Sequence, residues 1–245
     1  MQFTICSSDY IAYHASALTR AVLANSRRAM NMVVESLVTT AVAQLEYTRS
    51  VAILSRQISN RLRCEDALLA HKFTEGMADA VVGAFFAYWA ERKLRIAPGY
   101  APKRTADAVD PIALCAFVGD LFSTGVLPFT EFEECVSTLL SIKPSTLLLE
   151  CLCAVFAHGG AYHHPAMTPA YLLACIGAIE RKCAAYRRIE FFEATKVTAV
   201  IGSIMFRAKG EFIKDVVDKK LNLDTALARF PCIDVVDVHM VIYKE

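Results

Sequence analysis

The sequence has no apolar run long enough to cross a lipid bilayer. A transmembrane helix needs about 20 consecutive apolar residues. The longest candidates are Met77–Ala90, which contains Asp79, and Val197–Phe206, which is bounded by Lys196 and Arg207. Apolar residues nevertheless make up 55% of the chain, and the mean hydropathy is +0.37. We therefore expect no membrane association, and helices that are buried on most sides within a multi-helix protein.

A secretory signal and a strong charge imbalance are also lacking. The N-terminal sequence MQFTICSSDY has neither a basic start nor a long apolar core. Nine cysteines without an export signal favour reduced thiols, and so a cytoplasmic protein with the nucleus as the alternative. The net charge of +1 creates no global field that would demand nucleic acid. Any RNA binding must therefore come from local clusters of basic residues.

Catalytic motifs are absent as well. The chain contains no G-x-S-x-G elbow, no P-loop lysine and no H-E-x-x-H string. The acid pairs Glu65–Asp66 and Glu133–Glu134 are adjacent residues that diverge on a helix, so solvated helix faces explain them better than acid–base catalysis. We predict that the protein is not an enzyme and has no cofactor. A small enzyme with a Cys–His dyad in a cleft stays open as a further alternative.

A zinc site is the other chemistry that the sequence suggests. Cys151 and Cys153 form a C-x-C pair, and His158, His163 and His164 follow it. Residues two apart on a helix point about 200° apart, so both thiols cannot easily bind one metal. No second cysteine pair with zinc-ligand spacing accompanies the histidines. We therefore predict no metal, and interpret the cysteines as small core residues.

The main pattern in the sequence is helical periodicity, with proline and glycine residues between the periodic segments. The proline-rich loop Ile96–Pro111 separates the first group of predicted helices from the second. The spacing of about two helices per 30 to 45 residues predicts an all-α, HEAT-like helical solenoid of about five helix pairs. We expect one domain over residues 1–245, with an extended C-terminal tail over 207–245 that includes the β-like run Val235–Tyr243. The predicted helices are Tyr10–Ala24, Met30–Leu45, Ser50–Leu62, Cys64–Leu94, Ile112–Thr124, Thr130–Ile142, Ser145–Ala157, Thr168–Cys183 and Arg188–Phe206.

Four strings in the chain carry a family resemblance. Residues 116–127 read AFVGDLFSTGVL, residues 134–140 read ECVSTLL, residues 149–153 read LECLC, and residues 188–192 read RIEFF. In this order and at helical spacing they resemble the middle domain of eukaryotic translation initiation factor 4 gamma, in which a Phe-Ile-Gly-Glu-Leu-Phe string is typical. Upstream, Val33–Leu37 and Ser50–Ala52 resemble its second repeat. The resemblance covers roughly residues 30–206.

The resemblance implies a scaffold of mRNA metabolism that binds a DEAD-box RNA helicase, a cap-binding protein and single-stranded RNA. The Leu-Thr-Pro motif of the first repeat is missing before Met30, and Glu190 replaces an arginine of the Arg-Ile-Arg string. An adaptor of mRNA decay, splicing or nuclear cap binding is therefore the alternative, because it would use the same fold.

Candidate binding residues follow from composition. Exposed aromatic and histidine side chains are typical of protein interfaces, and basic residues at helix ends and in loops suit RNA phosphates. For partner binding we predict Trp89, Phe122, Tyr162 and His163. Trp89 belongs to an aromatic run, Phe85, Phe86, Tyr88 and Trp89, most of which we interpret as core. For RNA binding we predict Arg92, Lys93, Arg95, Lys103, Arg104, Arg181, Lys182, Arg187 and Arg188. The alternative is that these cations only stabilise the dipoles at helix C-termini.

Overall fold

The computed structural model describes residues 8–94, 109–160, 167–185 and 195–204, and these are all-helical, with no strand among them. The prediction of an all-α protein is therefore confirmed. The predicted tail over 207–245, and residues 96–108 of the predicted loop, lie outside the described ranges. Residues 195–204 are also helical. The named helices are α1 (Ser8–Ala43), α2 (Leu45–Glu65), α3 (Ala67–Leu94), α4 (Pro111–Ser123), α5 (Phe129–Ser141), α6 (Thr146–Gly159) and α7 (Pro169–Ala185).

Helix α1 is continuous where the sequence predicts two helices. The expected break between Ala24 and Met30 falls on Asn-Ser-Arg-Arg-Ala, which is polar but contains neither proline nor glycine. A polar stretch interrupts the apolar stripe without removing a backbone hydrogen bond, so the helix continues through it. The prediction of a break here was wrong. The bounds of α4 and α5 agree closely with the prediction, since each helix differs from the predicted one by one residue at either end, whereas α2 begins at Leu45 and not at the predicted Ser50.

Single residues join the first three helices. Gln44 separates α1 from α2, and Asp66 separates α2 from α3, each in an extended conformation. Asp66 also caps α3, since its Oδ1 accepts hydrogen bonds from the amides of Leu68 at 2.9 Å and Leu69 at 3.0 Å. Connections this short make consecutive helices antiparallel neighbours, and α1, α2 and α3 pack on one another.

Helix α4 lies at the centre of this group. Proline occupies its first position, and the Oδ1 of Asp110 caps it by accepting from the amide of Ile112 at 2.9 Å. All ten residues from Ala113 to Phe122 are buried, because α4 packs on α1, α2, α3 and α5. A helix that is apolar on all sides is stable only when neighbours cover it completely.

The turn after α4 depends on one glycine. Gly125 has φ +70°, a left-handed conformation that glycine adopts without a Cβ clash. The amide of Gly125 donates to Phe122 O at 2.9 Å, and the amide of Val126 donates to Leu121 O at 2.9 Å. These two bonds form a Schellman motif, which satisfies the last carbonyls of α4 and turns the chain toward α5.

The sequence predicts an N-cap at Thr168, followed by Pro169, and a capping box of Thr130 and Glu133, and the two predictions have different outcomes. Thr168 caps α7 as expected, since its Oγ1 accepts from the amide of Tyr171 at 3.2 Å. The capping box of Thr130 and Glu133 is wrong. Helix α5 begins one residue earlier, after Pro128, without a side-chain cap, and the Thr130 hydroxyl donates to the Glu131 carboxylate instead.

The chain groups into two compact units. The first comprises Met1–Ile142 with Glu150–Ala161, and the second comprises Lys143–Leu149 with Tyr162–Glu245. The first unit contains α1 to α5 and most of α6, and the second contains α7. Among the described residues, no helix is both long enough and apolar enough to cross a membrane.

Candidate functional site

One buried carboxylate stands out in the first unit. Asp120 on α4 is 1% exposed and lies among apolar residues. Burying an ionised carboxylate is costly unless other charges and hydrogen bonds compensate it. The partners of Asp120 therefore define the strongest polar cluster of the described chain, which we call the Asp120 cluster (Arg49, Asp120, Ser123 and His158).

The Asp120 cluster joins three helices. The Nη1 of Arg49, from α2, donates to Asp120 Oδ1 at 3.1 Å and to the Ser123 hydroxyl at 2.7 Å. From α6, the Nδ1 of His158 lies 2.8 Å from Asp120 Oδ2. An ionised carboxylate only accepts hydrogen bonds, so this geometry assigns the Nδ1 proton to His158. Both carboxylate oxygens of Asp120 are thus satisfied.

Gly119 allows α6 to approach this closely. A Cβ at position 119 would lie 2.6 Å from the backbone oxygen of Val155 and 2.7 Å from the backbone nitrogen of Gly159. Both atoms belong to the α6 backbone and cannot rotate away. Gly119 lets the backbones of α4 and α6 come together. This close approach places His158 of α6 within hydrogen-bonding distance of the neighbouring Asp120.

The Asp120 cluster is positioned for binding better than for catalysis. His158 and Arg49 have side chains that are 30% and 31% exposed, so each extends from a buried carboxylate toward solvent. A carboxylate that orients a histidine also occurs in nucleophilic enzymes. Here the nearby hydroxyl of Ser123 accepts from Arg49 and donates to the backbone oxygen of Asp120 at 3.0 Å. It is therefore engaged structurally, and no hydrogen bond to His158 activates it.

A row of arginines on α2 continues from the Asp120 cluster. Arg49, Arg56 and Arg63 are spaced seven residues apart, which places them on one side of a helix. The Nη1 of Arg56 donates to Gly125 O at 3.4 Å, at the turn that follows α4. Arg63 is exposed. We call these three residues the α2 arginine row.

The predicted RNA-binding residues are not brought together in the described part of the chain. Arg181 is exposed and Lys182 half-buried on α7, and the guanidinium of Arg181 lies over Gly177. The side chains of Arg92 and Lys93, at the end of α3, lie outside the described residues. The other five predicted residues lie outside the described part of the chain: Arg95, Lys103, Arg104, Arg187 and Arg188.

Two of the predicted partner-binding residues are core residues. Trp89 is 2% exposed and Phe122 is 1% exposed, so neither can contact a partner at the surface. Phe122 stacks on Phe132 with ring centroids 4.2 Å apart, and Trp89 packs 6.2 Å from Phe85. We correct both assignments to packing. The other two candidates, Tyr162 and His163, lie outside the described residues.

The buried thiol of Cys115 lies beside the Trp89 indole and the Cys151 thiol. Within the described ranges, no three cysteine, histidine or acidic side chains form a group that could hold a metal ion. The thiol of Cys151 donates to Pro111 O at 3.5 Å. Burial, and then the neighbouring Cys151, raise the pKa of the Cys115 thiol well above its usual range, while the Trp89 indole lowers it slightly. Burial, with Glu134 and Glu131, raises the pKa of Cys135 to about 12. Thiols of this kind are unreactive.

An open groove lies where α1 turns into α2. Its volume is about 500 Å³. Its polar groups are mainly hydroxyls and one carboxylate, and they do not include a paired acid and base. The lining residues are Met32, Glu35, Ser36, Thr39, Thr40, Ala43, Gln44 and Tyr47.

The Asp120 cluster was not predicted from the sequence, although one signal was available. Residues 113–122, ALCAFVGDLF, contain a single charged residue within an otherwise apolar run. An isolated charge in a helix that must be buried requires a partner. Periodicity could not identify the partners, because Arg49 and His158 lie 71 and 38 residues away along the chain.

Comparisons with protein-family models, with curated proteins and with solved structures give no match to this chain.

Proposed function

We propose that this chain is a HEAT-like helical scaffold of mRNA metabolism, and that it acts in translation initiation in the manner of the middle domain of initiation factor 4 gamma. In this proposal it binds a DEAD-box RNA helicase, a cap-binding protein and single-stranded RNA in the cytoplasm. The chain works by binding and carries out no reaction of its own.

The packing order of α1 to α5 is the observation that carries the proposal. Each extensive contact among these five helices joins elements no more than three places apart in the chain. Helices α1, α2 and α3 follow one another with single-residue connections. Contacts that stay local in chain order are typical of solenoids, in which each helix pair packs on the next.

The short sequences that resemble initiation factor 4 gamma support the proposal because each of the three in the described part of the chain lies on a separate, consecutive helix. AFVGDLF lies on α4, ECVSTLL lies on α5, and LECLC lies on α6. The glycine and the acid of the first string are Gly119, which makes the close contact with α6, and Asp120, which pairs with Arg49 of α2 and His158 of α6. The strings therefore coincide with the residues that determine how these helices pack.

The proposed mechanism is a shift in helicase conformation. A scaffold that binds one arrangement of the two helicase lobes more tightly than the other increases the population of that arrangement. Adding saturating purified chain to a DEAD-box helicase with RNA should therefore raise the rate of ATP turnover. An unchanged rate at saturation would refute the mechanism.

Partner identity is tested by affinity capture. The tagged chain is incubated with cell lysate, with and without nuclease, and the captured proteins are identified by mass spectrometry. Recovery of a DEAD-box helicase and a cap-binding protein despite nuclease is the expected result. An R49M variant, which should weaken the core of the first unit, provides a control for capture by unfolded chain.

One observation favours the alternative, an adaptor of mRNA decay, splicing or nuclear cap binding. Helix α1 runs without a break from Ser8 past Met30, so the described residues before Met30 do not form a helix pair of their own. The first repeat of the initiation scaffolds has no separate equivalent there. Recovery of decay or splicing factors without a helicase would establish this alternative.

A further inference from the structure

Helix α2 has an unusual distribution of charge. Its two acids, Glu46 and Glu65, lie in the first and last turns. Between them, every charged residue is an arginine, and three of these arginines form the α2 arginine row. The central turns of α2 therefore present only positive charge.

Helical geometry places the row along one line. Residues seven apart lie about 10.5 Å apart along a helix axis and nearly in register around it. Arg49, Arg56 and Arg63 thus span about 21 Å on one side of α2. The contacts of Arg49 with Asp120 and of Arg56 with Gly125 O show that this side borders α4.

The neighbouring groups leave the row able to bind an anion. A guanidinium carries five N–H donors, and Arg56 gives one to a neutral carbonyl, so its charge is not compensated in that contact. Arg63 is exposed. Asp120 is buried and orients Arg49, and His158 is a second half-exposed donor that shares the same carboxylate.

We infer that the α2 arginine row binds the phosphodiester backbone of single-stranded RNA. Arginine pairs with phosphate through two parallel N–H donors. Arg56 and Arg63 place two such sites in a line that matches a polyanion following the helix, and Arg49, which is paired with Asp120, lies at the end of that line. A flexible single strand can place one phosphate at each arginine, whereas the phosphates of a duplex are held at fixed spacing. The inference rests on the proposed function only for the choice of RNA as the polyanion, and none of the RNA-binding residues predicted from the sequence belongs to the row.

The test uses the full chain and a 5′-labelled 20-nucleotide oligouridylate, followed by fluorescence anisotropy at several salt concentrations. The test variants are R56Q and R63Q, alone and combined. The matched control is R61Q, because it makes the same charge change on the same helix, and residues two apart point in roughly opposite directions. Circular dichroism should show equal thermal midpoints for all four proteins.

Each lost phosphate contact has a defined effect. For single strands, the slope of log K against log salt changes by about 0.7 per contact, which corresponds to about a fivefold loss of affinity at 0.1 M salt relative to 1 M. We expect R56Q and R63Q each to weaken binding about fivefold and the double variant about 25-fold, with the slope reduced by about 1.4. R61Q should bind like the parent chain.

Three outcomes would overturn the inference: no binding at 50 mM salt, equal weakening by R61Q and R63Q, or binding of a polyglutamate peptide with the same variant dependence as RNA. The last outcome would assign the row to an acidic protein partner. Because no helicase is present in this experiment, its failure would leave the helicase assay of the proposed function unaffected. Failure of that assay, in turn, would not affect the oligouridylate result.

Discussion

Replacing Arg49 with methionine would leave the carboxylate of Asp120 buried with one of its two charged partners missing. Asp120 is 1% exposed, so its Oδ1 would stay buried beside α2 without the guanidinium that pairs with it. Removing one partner of a buried ion pair typically destabilises a protein by about 3–5 kcal/mol. We expect R49M to lower the free energy of unfolding by an amount in that range.

We expect a smaller loss of stability when Asp120 itself is replaced. In the D120N variant, the groups left behind are Arg49 and His158, which are about one-third exposed and can be hydrated. The asparagine amide oxygen can still accept from Arg49. Hydrogen bonds to charged groups contribute about 1.5–3 kcal/mol, and part of this is retained, so D120N should cost less than R49M.

The combined variant gives the sharpest test. In the R49M background, D120N removes the unpaired buried charge, so the double variant should lose less stability than the sum of the two single losses, by about 0.5–3 kcal/mol, the usual range of coupling between contacting residues. D120N should therefore cost less in the R49M background than in the parent protein, and it should stabilise R49M where the coupling exceeds its own cost. Additive losses in the double variant would refute the argument that Asp120 is ionised and depends on Arg49.

Urea unfolding monitored by tryptophan fluorescence is the appropriate assay. Trp89 is the single tryptophan of the chain, it is buried, and it belongs to the first unit, as does the Asp120 cluster. The signal therefore reports on the unit that contains the substitutions. R56M is the matched control, because Arg56 lies on the same helix and contacts only a backbone carbonyl at 3.4 Å. Its effect should stay within about 0.5 kcal/mol.

Four further predictions concern the first unit. G119A should destabilise it by about 1–3 kcal/mol, since the new Cβ would meet the Val155 backbone oxygen. G83A, where nothing lies within 4 Å, should stabilise α3 by about 0.5–1 kcal/mol in the same urea assay. The pKa of Cys135 is raised to about 12, so the unfolded thiol ionises first and stability falls as pH rises from about 9 toward 12. Between pH 8 and 10 the parent should lose about 1.4 kcal/mol more than C135V, and equal losses would contradict the burial of this thiol. F122A should cost about 3–5 kcal/mol, and a near-neutral effect would restore its assignment as a surface residue.

Local signals in the sequence were sufficient to predict the helices. Apolar periodicity located α4 and α5 to within one residue, and Thr168 followed by Pro169 marked the start of α7. The break expected within α1 was wrong because polarity alone does not end a helix. The short connections at Gln44 and Asp66 carry neither proline nor glycine, and these two reversals depend on the packing of the helices that they join.

The positions of single side chains within the core were harder to predict. Trp89 and Phe122 were proposed for partner binding because aromatic residues are enriched at interfaces. Both are large apolar residues on helices that other helices cover, and a one-dimensional pattern does not show which neighbours cover them. The partners of Asp120 were missed for the same reason, since an ion pair that joins α2, α4 and α6 depends on three-dimensional packing.

Gly119 and Asp120 determine how the helices pack, and they say nothing about what the chain binds. Gly119 permits the close approach of α6, and the adjacent Asp120 binds His158 of that helix, so packing alone accounts for both residue types. Such residues report on how the helices pack, whatever the chain binds. Binding must instead depend on exposed residues. Within the α2 arginine row, Arg49 is held by Asp120 and contributes to packing, whereas Arg63 is exposed and is not required for packing. If R63Q weakens RNA binding without changing stability, that residue serves the ligand and not the fold.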